Sequence, residues 1–112
     1  QGVVVGDRND DCTYGEAVLA VGLLNQYGWG NCPSGDSSVA FGRRNTASGD
    51  YATVTGGWNN VASAGASSVS GGANNVASGH WSSVSGGIEN EATGNTSSVS
   101  GGQRNEASGG TS

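Results

Sequence analysis

A fifteen-residue period runs through most of this chain and restricts the folds open to it. Val39, Val54, Val69, Val84 and Val99 stand fifteen apart. Three residues after each comes Gly (42, 57, 72, 87, 102), and six after each comes Asn45, Asn60, Asn75, Asn90 or Asn105. Eight after each comes Ala47, Ala62, Ala77, Ala92 or Ala107, followed by Ser or Thr. So many columns kept over five copies mark a repeat architecture, in which each unit buries its apolar face only against its neighbours.

The inner structure of one unit indicates strands. Val69-Ser70-Gly71 and Ala77-Ser78-Gly79 repeat an apolar-Ser-Gly pattern twice per unit. Residues two apart share one face of a strand. Each unit therefore reads as two short strands joined by Gly/Asn corners, where Gly supplies positive φ and Asn tolerates it. A Gly-Gly pair in every unit disfavours helix. The predicted fold is all-β: a single-chain parallel β-solenoid of about seven coils, stacked about 4.8 Å apart. The Val and Ala columns form its core ladder and the Asn column a corner ladder.

The frame extends backward less cleanly, through Val3-Gly6-Asn9 and Leu19-Gly22-Asn25. Residues 1–36 are expected to form irregular N-terminal coils and residues 37–112 the regular repeats. The position two after the leading residue is Val5, Val21 and Phe41, then Gly56, Gly71, Gly86 and Gly101. Read in this register, the early coils carry a fuller core, and the later glycines mark a thin solenoid or a close approach by another backbone. The two cysteines, Cys12 and Cys32, both fall in the irregular segments. Two Cys without a nearby His make a poor zinc site. A disulfide pinning the cap is the expectation, and it implies an oxidising, extracytoplasmic setting.

Composition excludes several function classes. Net charge is −5, with four Lys and Arg that form no stripe, so nucleic acid is not an expected partner. No apolar run approaches the roughly 20 residues of a membrane-spanning helix. Gln1 opens no signal-peptide pattern, so a mature product or an excised module is expected.

Catalytic chemistry finds little support. His80 is the only histidine, and a nucleophile needs a positioned base. Gly35-Asp36-Ser37 lacks the glycines of a serine-protease signature after Ser37. Asp7, Asn9 and Asp11 match the first calcium-loop positions, but Cys12 and Val18 stand where Gly and Glu are required. Glu91 and Glu106 share one column of an exposed face, and Asn95-Thr96-Ser97 is a glycosylation sequon. No enzyme activity, cofactor or metal is expected.

Two surface features stand out. Thr53 and Thr55, Ser68 and Ser70, Ser83 and Ser85, and Ser98 and Ser100 form two outward hydroxyl columns. Tyr51 and Trp81 share one column, and Trp58 and Ile88 another. These four are a candidate seam between chains, or a strip for contact with glycan or protein.

The units SSVSGG-x-x-N-x-ASG, and above all SVAFGRRNTASG from Ser38 to Gly49, resemble the head repeats of trimeric autotransporter adhesins. The resemblance covers residues 39–112 and, loosely, 3–25. It implies a left-handed β-roll, assembled as a homotrimer on a cell surface, that binds a host surface or matrix ligand. NVASG at Asn75–Gly79 is also similar to the repeats of plant ice-binding β-rolls. That implies ice binding through the Ser/Thr columns as the alternative function. A subunit stacking end to end into an extracellular filament is the third.

Overall fold

The computed structural model describes residues 2–111; Gln1 and Ser112, the outer limits of the two predicted segments, lie outside them. The described residues contain no helix. The strands in chain order are β1 (Val3–Gly6), β2 (Leu19–Gly22), β3 (Val39–Phe41), β4 (Thr46–Ala47), β5 (Thr53–Val54), β6 (Val61–Ala62), β7 (Ser68–Val69), β8 (Val76–Ala77), β9 (Ser83–Val84), β10 (Glu91–Ala92), β11 (Ser98–Val99) and β12 (Glu106–Ala107). One sheet runs β1-β2-β3-β5-β7-β9-β11 and the other β4-β6-β8-β10-β12. Every pairing is parallel. This is the β-solenoid, with about seven turns in a body of 36 × 26 × 16 Å.

Strands of two residues are too short to persist alone. They hold because each coil hydrogen-bonds to the next around almost its whole circumference: for Ala66–Val76, the N–H groups of Ser68, Ser70, Ala73 and Val76 donate to carbonyls of the following coil, and those of Ala66 and Asn74 to carbonyls of the preceding one. The interior is correspondingly thin. A typical coil buries Ser67, Val69, Asn75 and Ala77, all without exposed surface.

The register corrects the sequence frame at one place. Val39 pairs with Thr53 and Ala40 with Val54, so that coil advances fourteen residues. Val39 is half-buried on the outer face and leaves the predicted core ladder; Ala40, fully buried, takes its place. The inner column of the long sheet is Ala20, Ala40, Val54, Val69, Val84 and Val99. The physical reason is the corner after the strand. Coil three turns on one glycine, Gly42, whereas later coils use two, beginning with Gly56-Gly57. A one-residue slip turns every side chain to the opposite face. Val5, Val21 and Phe41 are therefore outward and do not thicken the core. Gly56, Gly71, Gly86 and Gly101 are corner residues; a Cβ at the last three would meet nothing within 4 Å.

The Asn column also differs from expectation. Asn45, Asn60, Asn75 and Asn90 are buried, Asn105 in the last coil is exposed, and none of the five is the left-handed corner residue. The left-handed position belongs to the preceding residue, Arg44, Asn59, Asn74, Glu89 or Arg104, at φ of 55° to 59°. Asn75 Nδ2 donates to the carbonyls of Gly71 in its own coil and Gly87 in the next, both at 2.9 Å. Its Oδ1 accepts the Asn90 N–H at 2.9 Å. Asn45, Asn60 and Asn90 repeat the pattern, with 2.8 to 2.9 Å between each Oδ1 and the next Asn N–H. Each buried amide thus satisfies both donors and its acceptor, as burial of a polar group requires. Upstream the ladder continues through Asn31, whose Oδ1 accepts the Asn45 N–H. Asn25, the residue predicted there, instead closes a turn by accepting from the N–H groups of Tyr27 and Trp29.

Cys12 and Cys32 form the disulfide, with Cα atoms 5.7 Å apart. Cys32 bridges to Thr46 at the head of the short sheet, and Pro33, fully buried, follows it. Proline has no N–H to donate to the preceding coil, and the covalent link spans that boundary. Reducing it should remove about 3 kcal/mol, the loop-closure entropy of a 20-residue separation. Hydrogen exchange with and without reductant should show protection lost across residues 3–32 and kept from β5 to β12.

Candidate functional surface

The solenoid offers two flat faces and two edges. On the face of the long sheet, one outward column is Val3, Leu19, Val39, Thr53, Ser68, Ser83 and Ser98. The neighbouring column begins Val5, Val21 and Phe41 and continues, by alternation after each buried Val, through Thr55, Ser70, Ser85 and Ser100. One continuous face therefore changes character along its length. Its first three coils are apolar, and its last four carry hydroxyls. The apolar end is open, with Val3 and Val5 more than half exposed. The sequence frame concealed this because it placed Val39 inside.

The predicted hydroxyl array does lie on this face. Thr55, Ser70, Ser85, Ser98 and Ser100 are exposed, while Thr53, Ser68 and Ser83 are half-buried. Thr55 Oγ1 donates to the Ser70 carbonyl at 2.9 Å and is thereby turned along the surface. A further serine column, Ser38, Ser67, Ser82 and Ser97, points inward and is buried. Ser67 and Ser97 donate to carbonyls three residues back, of Ala64 and Gly94. Only the inward side of the alternation distinguishes these serines from their outward neighbours.

The outward column of the short sheet is Thr46, Val61, Val76, Glu91 and Glu106, so the two glutamates do stand side by side. Beside it runs a bridge ladder of Arg43, Trp58, Ala73, Ile88 and Gln103. Trp58 and Ile88 are about half exposed, and Val61 and Val76 of the short sheet are half-buried. The exposed Arg104–Glu89 pair at 2.7 Å contributes little to stability.

The opposite edge carries Tyr51 and Trp81. The four predicted seam residues thus occupy two different edges. The edge column is Ser37, Tyr51, Ala66, Trp81 and Thr96, each with φ between 54° and 63°. A non-glycine residue in this region costs roughly 1 kcal/mol or more. Each is held by its N–H donating to the coil before, as Trp81 does to Gly65 and Ala66 to Asp50. Asp36 and Asp50 sit just before this column: the Asp36 Oδ1 accepts the Glu16 N–H, and the Asp50 Oδ1 accepts the Asp36 N–H. Gly-Asp at 35–36 and again at 49–50 was the available sequence signal for this contact.

The other candidates are local structure. His80 lies against Trp81, with ring centroids 6.1 Å apart, and its backbone N–H donates to Asn95 Oδ1. Asp7 accepts the Leu24 N–H, and Asn9 accepts the Asp11 N–H. Among the described residues no group of three His, Cys, Asp or Glu could hold a metal ion, and no helix is long and apolar enough to cross a membrane. Near the N-terminus Arg44 stacks on Trp29 at 4.1 Å and Arg8 on Tyr14 at 4.2 Å. The chain matches no protein-family model, no curated protein and no solved structure in the comparisons made.

Proposed function

We propose that this chain is an extracellular β-roll of a surface adhesin or fibre, assembled as three chains, whose work is to hold a rigid repetitive surface. The observation that carries this reading is the apolar end of the long-sheet face, Val3, Val5, Leu19, Val21, Val39 and Phe41. Val3 and Val5 are exposed and the other four half-buried, and a contiguous apolar face of this kind marks an association surface. The strip of Trp58, Ile88, Val61 and Val76 supports a second contact, as a ring of identical chains requires two different faces. The disulfide suits an oxidising exterior, and the satisfied Asn ladder suits a rod.

Light scattering across a concentration series tests the assembly. A mass of three chains, independent of concentration, is expected. A monomer would overturn the reading, and open-ended growth would favour the filament. The in-register Thr53, Ser68, Ser83 and Ser98 favour ice binding as the second reading. A monomer showing thermal hysteresis would put it first.

A further inference from the structure

Tyr51 and Trp81 are each 69 % exposed, the most exposed of the large apolar side chains on the molecule. They stand at equivalent points of their coils, since Tyr51 N–H donates to Asp36 O, Ala66 N–H to Asp50 O and Trp81 N–H to Gly65 O. Their backbones share one conformation, with φ of 63° and 56°, so their Cβ atoms leave the edge in the same direction. The coil between them carries only the methyl group of Ala66 at this position. Two parallel coil spacings separate the rings by about 9.6 Å along the axis. The result is two rings on one edge with a gap between them.

This arrangement differs from the Trp58–Ile88 strip. That strip lies three residues ahead, in each coil, of a column that includes the half-buried Val61 and Val76. Tyr51 and Trp81 are instead each preceded by an exposed polar residue: Asp50, whose Oδ1 accepts the Asp36 N–H, and His80, whose ring centroid lies 6.1 Å from that of Trp81. An aromatic face with polar groups at its rim suits a ligand that has C–H groups on its faces and hydroxyls at its edge. Sugars have that character.

The spacing narrows the class. In an extended β-1,4-linked chain, adjacent pyranose rings face opposite ways and alternate rings face the same way. Two coils advance by nearly the length of two such rings, so rings i and i+2 would meet Tyr51 and Trp81 with the same face. The net charge of −5 disfavours anionic polymers. We propose that Tyr51 and Trp81 form a two-ring platform for an extended, neutral β-1,4-linked polysaccharide lying along the solenoid axis. The platform deepens the proposed surface-presenting function and rests on that reading for its setting.

The test is retention of the purified chain on insoluble cellulose and, in parallel, on insoluble chitin, read as protein depleted from solution over a concentration series. Saturable retention on either polymer is expected, and the polymer bound identifies the sugar. Tyr51→Ala and Trp81→Ala should each weaken it about tenfold, while Tyr27→Ala, which removes a comparably exposed ring from the turn near the N-terminus, should not. The double substitution Tyr51→Ala with Ala66→Tyr keeps two rings but sets them one coil apart; it should bind no better than Tyr51→Ala. Circular dichroism melting checks that each variant is folded, and Trp81→Phe, with a smaller ring, should retain part of the binding. Failure to bind either polymer, undiminished binding by Trp81→Ala, or wild-type binding by the double variant would overturn the platform. Light scattering on the same samples keeps the readings apart. A monomer that binds removes the trimer alone, and a trimer that does not bind removes the platform alone.

Discussion

Asn75→Ala is expected to destabilise the chain by about 4 kcal/mol, at roughly 1–3 kcal/mol for each buried group left unpaired. The substitution removes three hydrogen bonds at a site with no solvent exposure. The Asn90 N–H loses its acceptor and the Gly71 carbonyl its donor. The Gly87 carbonyl keeps one partner, the Ala73 N–H. The same substitution at Asn105 is expected to cost about 1 kcal/mol or less, because that residue is exposed and its loss resembles the loss of an ordinary surface hydrogen bond. Urea denaturation of the two variants makes the comparison. Equal midpoints would mean that the stack, and not the amide ladder, supplies the stability.

The second large effect concerns neighbouring glycines. Gly72→Ala should cost more than about 4 kcal/mol or prevent folding, the range reserved for severe backbone conflict. Gly72 has φ +85°, and a Cβ there would stand 2.1 Å from the Gly87 carbonyl oxygen and 2.7 Å from Asn75 Nδ2. The oxygen belongs to the backbone of the next coil, so relief requires the coils to part. Gly71→Ala, one residue earlier, meets open space. It should be neutral or stabilising by about 0.5 kcal/mol through the unfolded state. Thermal denaturation of the pair decides the matter; similar melting temperatures would contradict the close approach of coils at Gly72.

These two pairs show where the sequence was legible. The Asn column was visible by spacing, but its location was not. An Asn at a left-handed corner and an Asn buried between coils have the same spacing, and Asn74-Asn75 holds one of each. The two glycines of each corner are likewise identical on paper. One takes the φ the turn demands and the other is the extra residue that lengthens the coil. Asn25 matched the frame by offset, yet Asn31 fills the ladder, because the turn at residues 25–29 takes up the added length of that coil. Of the candidate surface, the hydroxyl columns and the Trp58–Ile88 pairing were readable. The apolar end of the same face was not, since it depended on a slip of one residue at Val39.

The sequence by itself determined a parallel stack of small-residue coils, the Ala and Asn columns along it, and two cysteines placed to be joined. It did so because a period of identical units permits only neighbours that pair alike. The tertiary structure alone decided which side of each strand faces inward before Thr53, and that the Tyr51–Trp81 and Trp58–Ile88 columns lie on different edges. Alternation fixes side chains relative to one another, whereas their absolute facing depends on how many residues each corner consumes. That count is settled by the hydrogen bonds of the adjacent coil.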